Sequence, residues 1–355
     1  MAKTWDTTII TDSLGIAREA QSPVIISASR STDIPAFYSD WFFHRLNMGY
    51  SVWTNPFNGV RSYVSYSHTR FIVFWSKNPE PLIKHLPYLK EKGIGCYIQF
   101  TLNNYDDTGL ERGVPPLQQR IDTFKRLSDM LGKEAVIWRF DPLILTPVTP
   151  AMRLIEKMDY VSRRVKDYTD RLVFSFADIS TYKRVASNLN RNHVDYIDWT
   201  EEHMLAMASL ISEANGRDWH LDVSTCGEQI DLQNFGISHS RCIDDRLIAR
   251  LAYRDHKLMD HLGMKIMECP ADLFGESTPP SPHSIKVAPD IYAVPTHDNR
   301  DKGQREHCRC AKAKDIGNYN TCPHLCEYCY ANYSKEIAIA NWRRHLDNPY
   351  AESII

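Results

Sequence analysis

No apolar run in this sequence approaches the ~18 residues that a membrane-spanning helix needs, and neither sign of charge is in excess. Lys and Arg number 42 against 44 Asp and Glu, for a formal net charge of −2. No global field therefore draws the chain toward nucleic acid or a lipid surface, although a local basic groove is compatible with a neutral total. The opening Met1-Ala2-Lys3-Thr4-Trp5-Asp6 lacks the apolar core of a signal peptide, so the expectation is a cytoplasmic protein with no membrane partner. There is no internal repeat of fixed period and no low-complexity tract. Hydrophobic residues at 43% and charged residues at 24% are the balance of a folded globular chain, which argues against disorder on a large scale.

Cysteine is what the chain has in quantity, with nine residues and hence an odd number. A reducing compartment rarely keeps disulfides, so clustered cysteines there read as metal ligands or catalysts. Cys96, Cys226, Cys242 and Cys269 are scattered, whereas the other five crowd between Cys308 and Cys329.

From about residue 23, short β-rich runs alternate with amphipathic helical stretches. Strands are expected at 24–29, 51–54, 71–75, 96–101, 135–140, 171–176 and 219–224. Helices are expected near 37–48, 81–92, 116–131, 150–167 and 201–214. Repeated β-then-α units imply parallel strands joined by helical crossovers. The strands are short and nearly all apolar, as when both faces are buried. The expected class is α/β, as a complete or partial (β/α) barrel, which typically takes roughly 250 residues. An open doubly wound sheet is the runner-up, but no Gly-rich phosphate loop follows the first strand. The expected organisation is an N-terminal extension at 1–22, a barrel body at 23–268 and an irregular connection at 269–306 around Pro279-Pro280-Ser281-Pro282. A cysteine-rich unit at 307–345 completes the barrel, and 346–355 is a tail.

Cys322-Pro-His-Leu-Cys326-Glu-Tyr-Cys329 lets one loop present three thiolates. Iron–sulfur clusters are usually held by four cysteines, so three leave one iron open to another molecule, and an open position marks chemical rather than structural metal sites. A zinc knot is the alternative, with His324, Cys308 or Cys310 as fourth ligand and a non-redox binding module as the function. Cys308 and Cys310 are also candidates to join Cys226 and Cys242 in a second cluster, Cys226 directly following the strand 219–224. Otherwise Cys226 and Cys242 are small buried residues, as cysteine often is.

The Cys322–Cys329 array, with Tyr328 before the last cysteine, resembles the signature of the radical S-adenosylmethionine superfamily. That resemblance implies a [4Fe-4S] cluster on Cys322, Cys326 and Cys329, with the amino and carboxylate groups of S-adenosylmethionine on the open iron. It further implies a reductant such as flavodoxin or ferredoxin, and a 5′-deoxyadenosyl radical that takes hydrogen from a substrate. In most members the motif follows the first barrel strand, whereas here it is near the C-terminus. A circular permutation accounts for the order, if Ile316 to Tyr319 forms a strand parallel to 24–29 and 331–345 forms the following helix. The whole chain is also similar to an uncharacterised bacterial family catalogued as a domain of unknown function and known for C-terminal cysteines of this kind. Ser27-Ala-Ser-Arg-Ser-Thr-Asp-Ile-Pro35, Thr54-Asn-Pro-Phe57, Phe74-Trp-Ser-Lys-Asn-Pro79, Trp138-Arg-Phe-Asp-Pro142 and Asp315 through Asn332 carry that likeness. Residues 50–145 distantly resemble the spore photoproduct lyase branch at Thr54-Asn55-Pro56, Ser76-Lys77-Asn78 and Phe100-Thr101-Leu102-Asn103.

Polar residues at predicted strand ends would form the catalytic rim of such a barrel: Arg30, Asp33, Asn55, Lys77, Thr101, Asn103, Arg139, Asp141 and Asp178 among them. Lys77, as a flexible point charge, is the first candidate for the cofactor carboxylate. Asn55, Thr101 and Tyr328 are further candidates for cofactor binding. Tyr330 and Tyr333 are expected to pack in the core, the alternative being to stack on adenine or relay a hydrogen atom. Arg305, Arg309, Lys312 and Lys314 would bind phosphate or offset the charge of a thiolate-ligated cluster. Nucleic acid, a modified base, a small molecule or a peptide all remain open as substrate.

Overall fold

The computed structural model describes residues 5–55, 58–270, 277–304 and 308–355. Its centre is a parallel sheet of eight strands: β1 (Ile25–Ala28), β2 (Phe71–Ser76), β3 (Gly95–Thr101), β4 (Val136–Leu143), β5 (Arg171–Phe176), β6 (Asp222–Thr225), β7 (Ser238–His239) and β8 (Lys314–Asp315). The spatial order is β7-β6-β5-β4-β3-β2-β1-β8, with every neighbouring pair parallel. The first seven strands are laid down consecutively without a reversal. Crossovers of one hand made in one direction place their helices on one face, and here the helices between these strands bury their apolar residues in one common core.

The residues of β2 show why the strands read as unbroken apolar runs. Ile72 and Phe74 pack toward the helices, while Phe71 and Val73 pack into a second core on the other face. The helix Leu117–Leu131 is typical of the first face. Leu117, Ile121, Phe124 and Leu127 form its buried stripe, and the free Leu117 amide at its start donates to Asp106 Oδ2 at 2.7 Å. Gly132 ends it at φ +88°, a conformation that glycine adopts without a Cβ penalty. The second face is covered by the helices Asp245–Ala252 and His256–His261, through Leu247, Ile248, Leu258 and Met259, and by Ala293, Ala311 and Ala313.

Three expectations change. The strand at 51–54 exists as Tyr50–Thr54 but pairs antiparallel with Arg61–Ser65 in a separate four-stranded sheet. That sheet includes the hairpin Thr7–Thr11 and Ala17–Gln21, so the N-terminal extension is structured. The stretch read as irregular carries the strands Ile285–Ala288 and Ile291–Pro295, which pair antiparallel with each other and extend to Met264–Glu268. Their apolar pattern is brief and sits beside Pro- and Ser-rich loops, so the loop signals dominate a linear reading. A helix at Lys183–Arg191, unseen in the sequence, buries only Val185 and Leu189.

The strand expected at 316–319 lies two residues earlier. Lys314 pairs with Ile26 and Asp315 with Ser27, and Ile316 N donates to Ser27 O at 3.2 Å. The last strand in sequence thus stands beside the first, and the helix Lys335–Asp347 follows it. The edge strands β7 and β8 share no ladder. The segments flanking them nevertheless meet, with Ala311 N donating to Ile243 O at 2.9 Å. Among the described residues, no helix is long and apolar enough to cross a membrane.

Candidate functional site

The cysteine loop is anchored where it leaves β8. The Asp315 carboxylate accepts from Ser27 Oγ (2.9 Å), Ser29 Oγ (2.8 Å), Ser31 Oγ (3.1 Å) and the Arg30 amide (2.8 Å). Two residues on, a Cβ at Gly317 would stand 1.9 Å from Ser29 Oγ, so only glycine passes this point. The loop then crosses the C-terminal ends of the strands. Tyr38 OH donates to Thr321 O at 2.5 Å, Asn332 Nδ2 to Cys322 O at 2.9 Å, and Glu327 N to Leu110 O at 3.0 Å. His324 is clamped at both ring nitrogens, by Asp33 Oδ2 at 2.8 Å and Gly113 O at 3.1 Å. Both of its ring nitrogens are engaged in this way.

Cys322, Cys326 and Cys329 are free, partly buried thiols on this loop. Burial pushes all three above the ordinary thiol range, and the mutual proximity of the three groups adds to the rise for Cys326. The nearby Lys77 ammonium pulls Cys326 and Cys329 the other way. Glu327 Oε2, Asn332 Oδ1 and Asn318 Oδ1, all on the loop, are buried without a hydrogen-bond partner.

Beneath the loop, Lys77 is engaged in an ion cluster. Its Nζ lies 2.7 Å from Glu111 Oε1 and 2.8 Å from Tyr328 OH. Tyr328 OH also donates to Glu111, and Asn103 Nδ2 reaches Glu111 Oε1 at 2.9 Å. The buried Arg120 guanidinium stands 3.7 Å from Glu111 Oε2. Burial opposes ionisation of Glu111, but Lys77 and Arg120 prevail and hold it down at about 2. The strand end after β2 thus delivers Lys77 to the loop, as the sequence suggests, but onto a carboxylate that sequence reasoning missed. Glu111 lies in an irregular stretch with no periodicity to single it out.

A second thiol group forms on the other face. Cys226 follows β6 directly, and its Sγ is 2.9 Å from Cys242 Sγ. Cys310 Sγ accepts from the amides of Cys242 (3.2 Å) and Ile243 (3.4 Å). Cys308 is hydrogen-bonded by Cys310, which brings it down to about 7. Arg139 NH1, fully buried, donates to Cys242 Sγ at 3.3 Å, and the same side chain pairs with Asp141. The four cysteines named together from the sequence are therefore in one place. Among the described residues, no three Cys, His, Asp or Glu side chains are already set around a single ion-sized centre; the four thiols instead touch in a row.

A family model described as "Domain of unknown function (DUF1848)" matches residues 25–331, most of the chain and all seven of these cysteines. The chain belongs to this family. No curated protein and no solved structure matches it.

The remaining candidates are dispersed. Thr101 closes β3, but Asn55 follows a strand of the other sheet. Tyr330 OH donates to Arg30 O at 2.5 Å, and Arg184 stacks 3.6 Å from the centroid of the Tyr333 ring. Cys96 packs against the helical core. Lys314 stacks on Trp53 and Lys312 on Trp5. Arg305, Pro56 and Phe57 lie outside the described residues.

Proposed function

We propose that Cys322, Cys326 and Cys329 hold a [4Fe-4S] cluster and that the protein is a radical S-adenosylmethionine enzyme on a permuted, partial (β/α) barrel. The observation that carries this reading is the loop itself. Three free thiols, on a loop clamped by residues 27–38 and 110–113, lie over the C-terminal edge of a parallel sheet whose last strand stands beside its first. The donor set fits: soft thiolates suit iron–sulfur chemistry. The zinc-knot alternative is weakened because His324 and Cys310 are engaged elsewhere.

Bound there with S-adenosylmethionine, the cluster would supply one-electron cleavage of the sulfonium and abstraction of hydrogen from a substrate. The protein's own residues orient and shield. His324, held between Asp33 and Gly113, keeps the loop backbone at fixed height. Glu111 and Lys77 hold the Tyr328 ring beside Cys329, so Lys77 enters as a positioning residue. Thr101 and Asn55 stand as proposed cofactor contacts. In this reading the enzyme is cytoplasmic and takes its electron from a flavodoxin or ferredoxin; the substrate is unassigned.

The test is metal analysis and turnover on protein purified without air. About four irons and four sulfides should bind per site, and Cys322→Ala/Cys326→Ala/Cys329→Ala should lose that share. Dithionite-reduced protein should convert S-adenosylmethionine slowly to 5′-deoxyadenosine. Zinc on the loop with no iron would sink the proposal.

A further inference from the structure

We infer that Cys226, Cys242, Cys308 and Cys310 form a second, separate metal site, in which four thiolates ligate a thiophilic centre, either zinc or an iron–sulfur cluster, and staple the two edges of the parallel sheet together. The sulfurs come from three segments of the chain; Cys226 and Cys242 are 16 residues apart, and Cys242 and Cys310 are 68 apart. Cys226 ends β6, Cys242 follows the edge strand β7, and Cys308 and Cys310 precede the edge strand β8. The group therefore sits on the seam where β7 and β8 do not pair, and the Ala311–Ile243 hydrogen bond is a backbone contact across it.

A thiol–thiol hydrogen bond is weak, since S–H is a poor donor and sulfur a poor acceptor. Bringing four thiols into one row at a seam, where apolar side chains would pack better, calls for another explanation. Ligation supplies one. Each thiol gives a lone pair to the metal and its proton to solvent, and no electron changes hands in that step. The surroundings suit the anion so formed. Two backbone amides already point at Cys310 Sγ, and the buried Arg139 donates to Cys242 Sγ. Hydrogen bonds to ligating sulfur are a common way for a protein to orient and tune a metal site. Cys242 is itself fixed, because its carbonyl accepts from Tyr97 OH at 2.7 Å and Gln99 Nε2 at 2.9 Å. At a Zn–S distance of about 2.3 Å, two thiolates on a tetrahedral ion lie roughly 3.8 Å apart. Cys226 and Cys242, at 2.9 Å, would need to part by only about 1 Å.

This inference does not rest on the function proposed for the loop, and the experiment keeps the two apart. The full-length Cys322→Ala/Cys326→Ala/Cys329→Ala protein, purified without air, is assayed for zinc, iron and acid-labile sulfide. Retention of one centre per chain is expected: one zinc without sulfide identifies a zinc site, and iron with matching sulfide identifies a cluster. Absence of metal above background, or a Cys226–Cys242 disulfide by mass spectrometry of protein alkylated before unfolding, would overturn the proposal. A second variant, Cys308→Ser/Cys310→Ser with the loop intact, covers the case in which the first does not fold. It should lose that one centre relative to wild type while the loop retains its own, and unchanged metal content would overturn the proposal. In the triple-alanine loop variant, removal of the centre with a chelator should speed hydrogen exchange at the Ala311 amide on the seam.

Discussion

Replacing Lys77 with methionine keeps the aliphatic stem and removes the ammonium that joins Glu111 to Tyr328. Glu111 is then left with Asn103 at 2.9 Å, Tyr328 and the more distant Arg120 at 3.7 Å. The Glu111 side chain is 1% exposed, so water does not take the place of the lost partner. Breaking a buried pair by removing one member typically costs about 3–5 kcal/mol. The donors left to Glu111, and the 16% exposure of Lys77, point to the lower end, about 3 kcal/mol. With an unfolding entropy of about 2.1 cal/mol/K per residue, a cooperative unit of 355 residues should lose about 4 °C in Tm. Urea and thermal unfolding of the metal-free protein, followed by circular dichroism, would read both quantities without interference from metal loss. Glu111→Leu alone should also destabilise, because it strands the Lys77 ammonium, whereas Arg120 keeps Asp106 at 2.7 Å. The double variant Lys77→Met/Glu111→Leu should then be more stable than the two single effects predict, by about 1 kcal/mol or more. A Lys77→Met protein within about 0.5 kcal/mol of wild type, the range of ordinary surface changes, would refute the reasoning. Lys77 would then be free to meet the carboxylate of a cofactor.

Gly113→Ala places a Cβ 2.5 Å from His324 O, against backbone that cannot yield cheaply. It should cost about 1–3 kcal/mol and lower metal content at the loop while sparing the Cys226 group, as site-resolved metal analysis would show. Tyr328→Phe removes the hydroxyl shared by Lys77, Glu111 and Asn103; a loss of about 1–3 kcal/mol is expected in urea unfolding, the cost of leaving buried groups unpaired. Burial pushes the Lys314 ammonium down to about 8, against the opposing pull of Asp315. The unfolded chain thus holds this proton at pH values where the native one has released it, and stability should rise between about pH 8 and the ordinary lysine range. Lys314→Met should flatten that slope in urea unfolding measured across pH.

The main sheet was legible because its strands are buried on both faces. Runs such as Phe71-Ile72-Val73-Phe74-Trp75 have no other physical use in a chain without membrane-length segments. The cysteine loop was legible for a related reason: its three candidate ligands lie within eight residues, so spacing alone describes them. Polar helices and brief strands were not. Lys183–Arg191 buries two residues, and Ile285–Pro295 alternates too briefly to outweigh the prolines before it.

What the sequence determined by itself is local: strand and helix periodicity, the three-thiol array, and the set of cysteines available for a second group. Only the tertiary structure decided which distant groups meet. It committed Lys77 to Glu111, 34 residues away, placed Tyr50–Thr54 in a separate sheet, and set Cys226, Cys242, Cys308 and Cys310 in one row. The physical reason is that periodicity encodes which face a residue buries, whereas the partner it meets there depends on strand order and on how the edges of the sheet approach. For β7 and β8 that approach is made by Ile243, Ala311 and the cysteines beside them, residues without a periodic signal of their own.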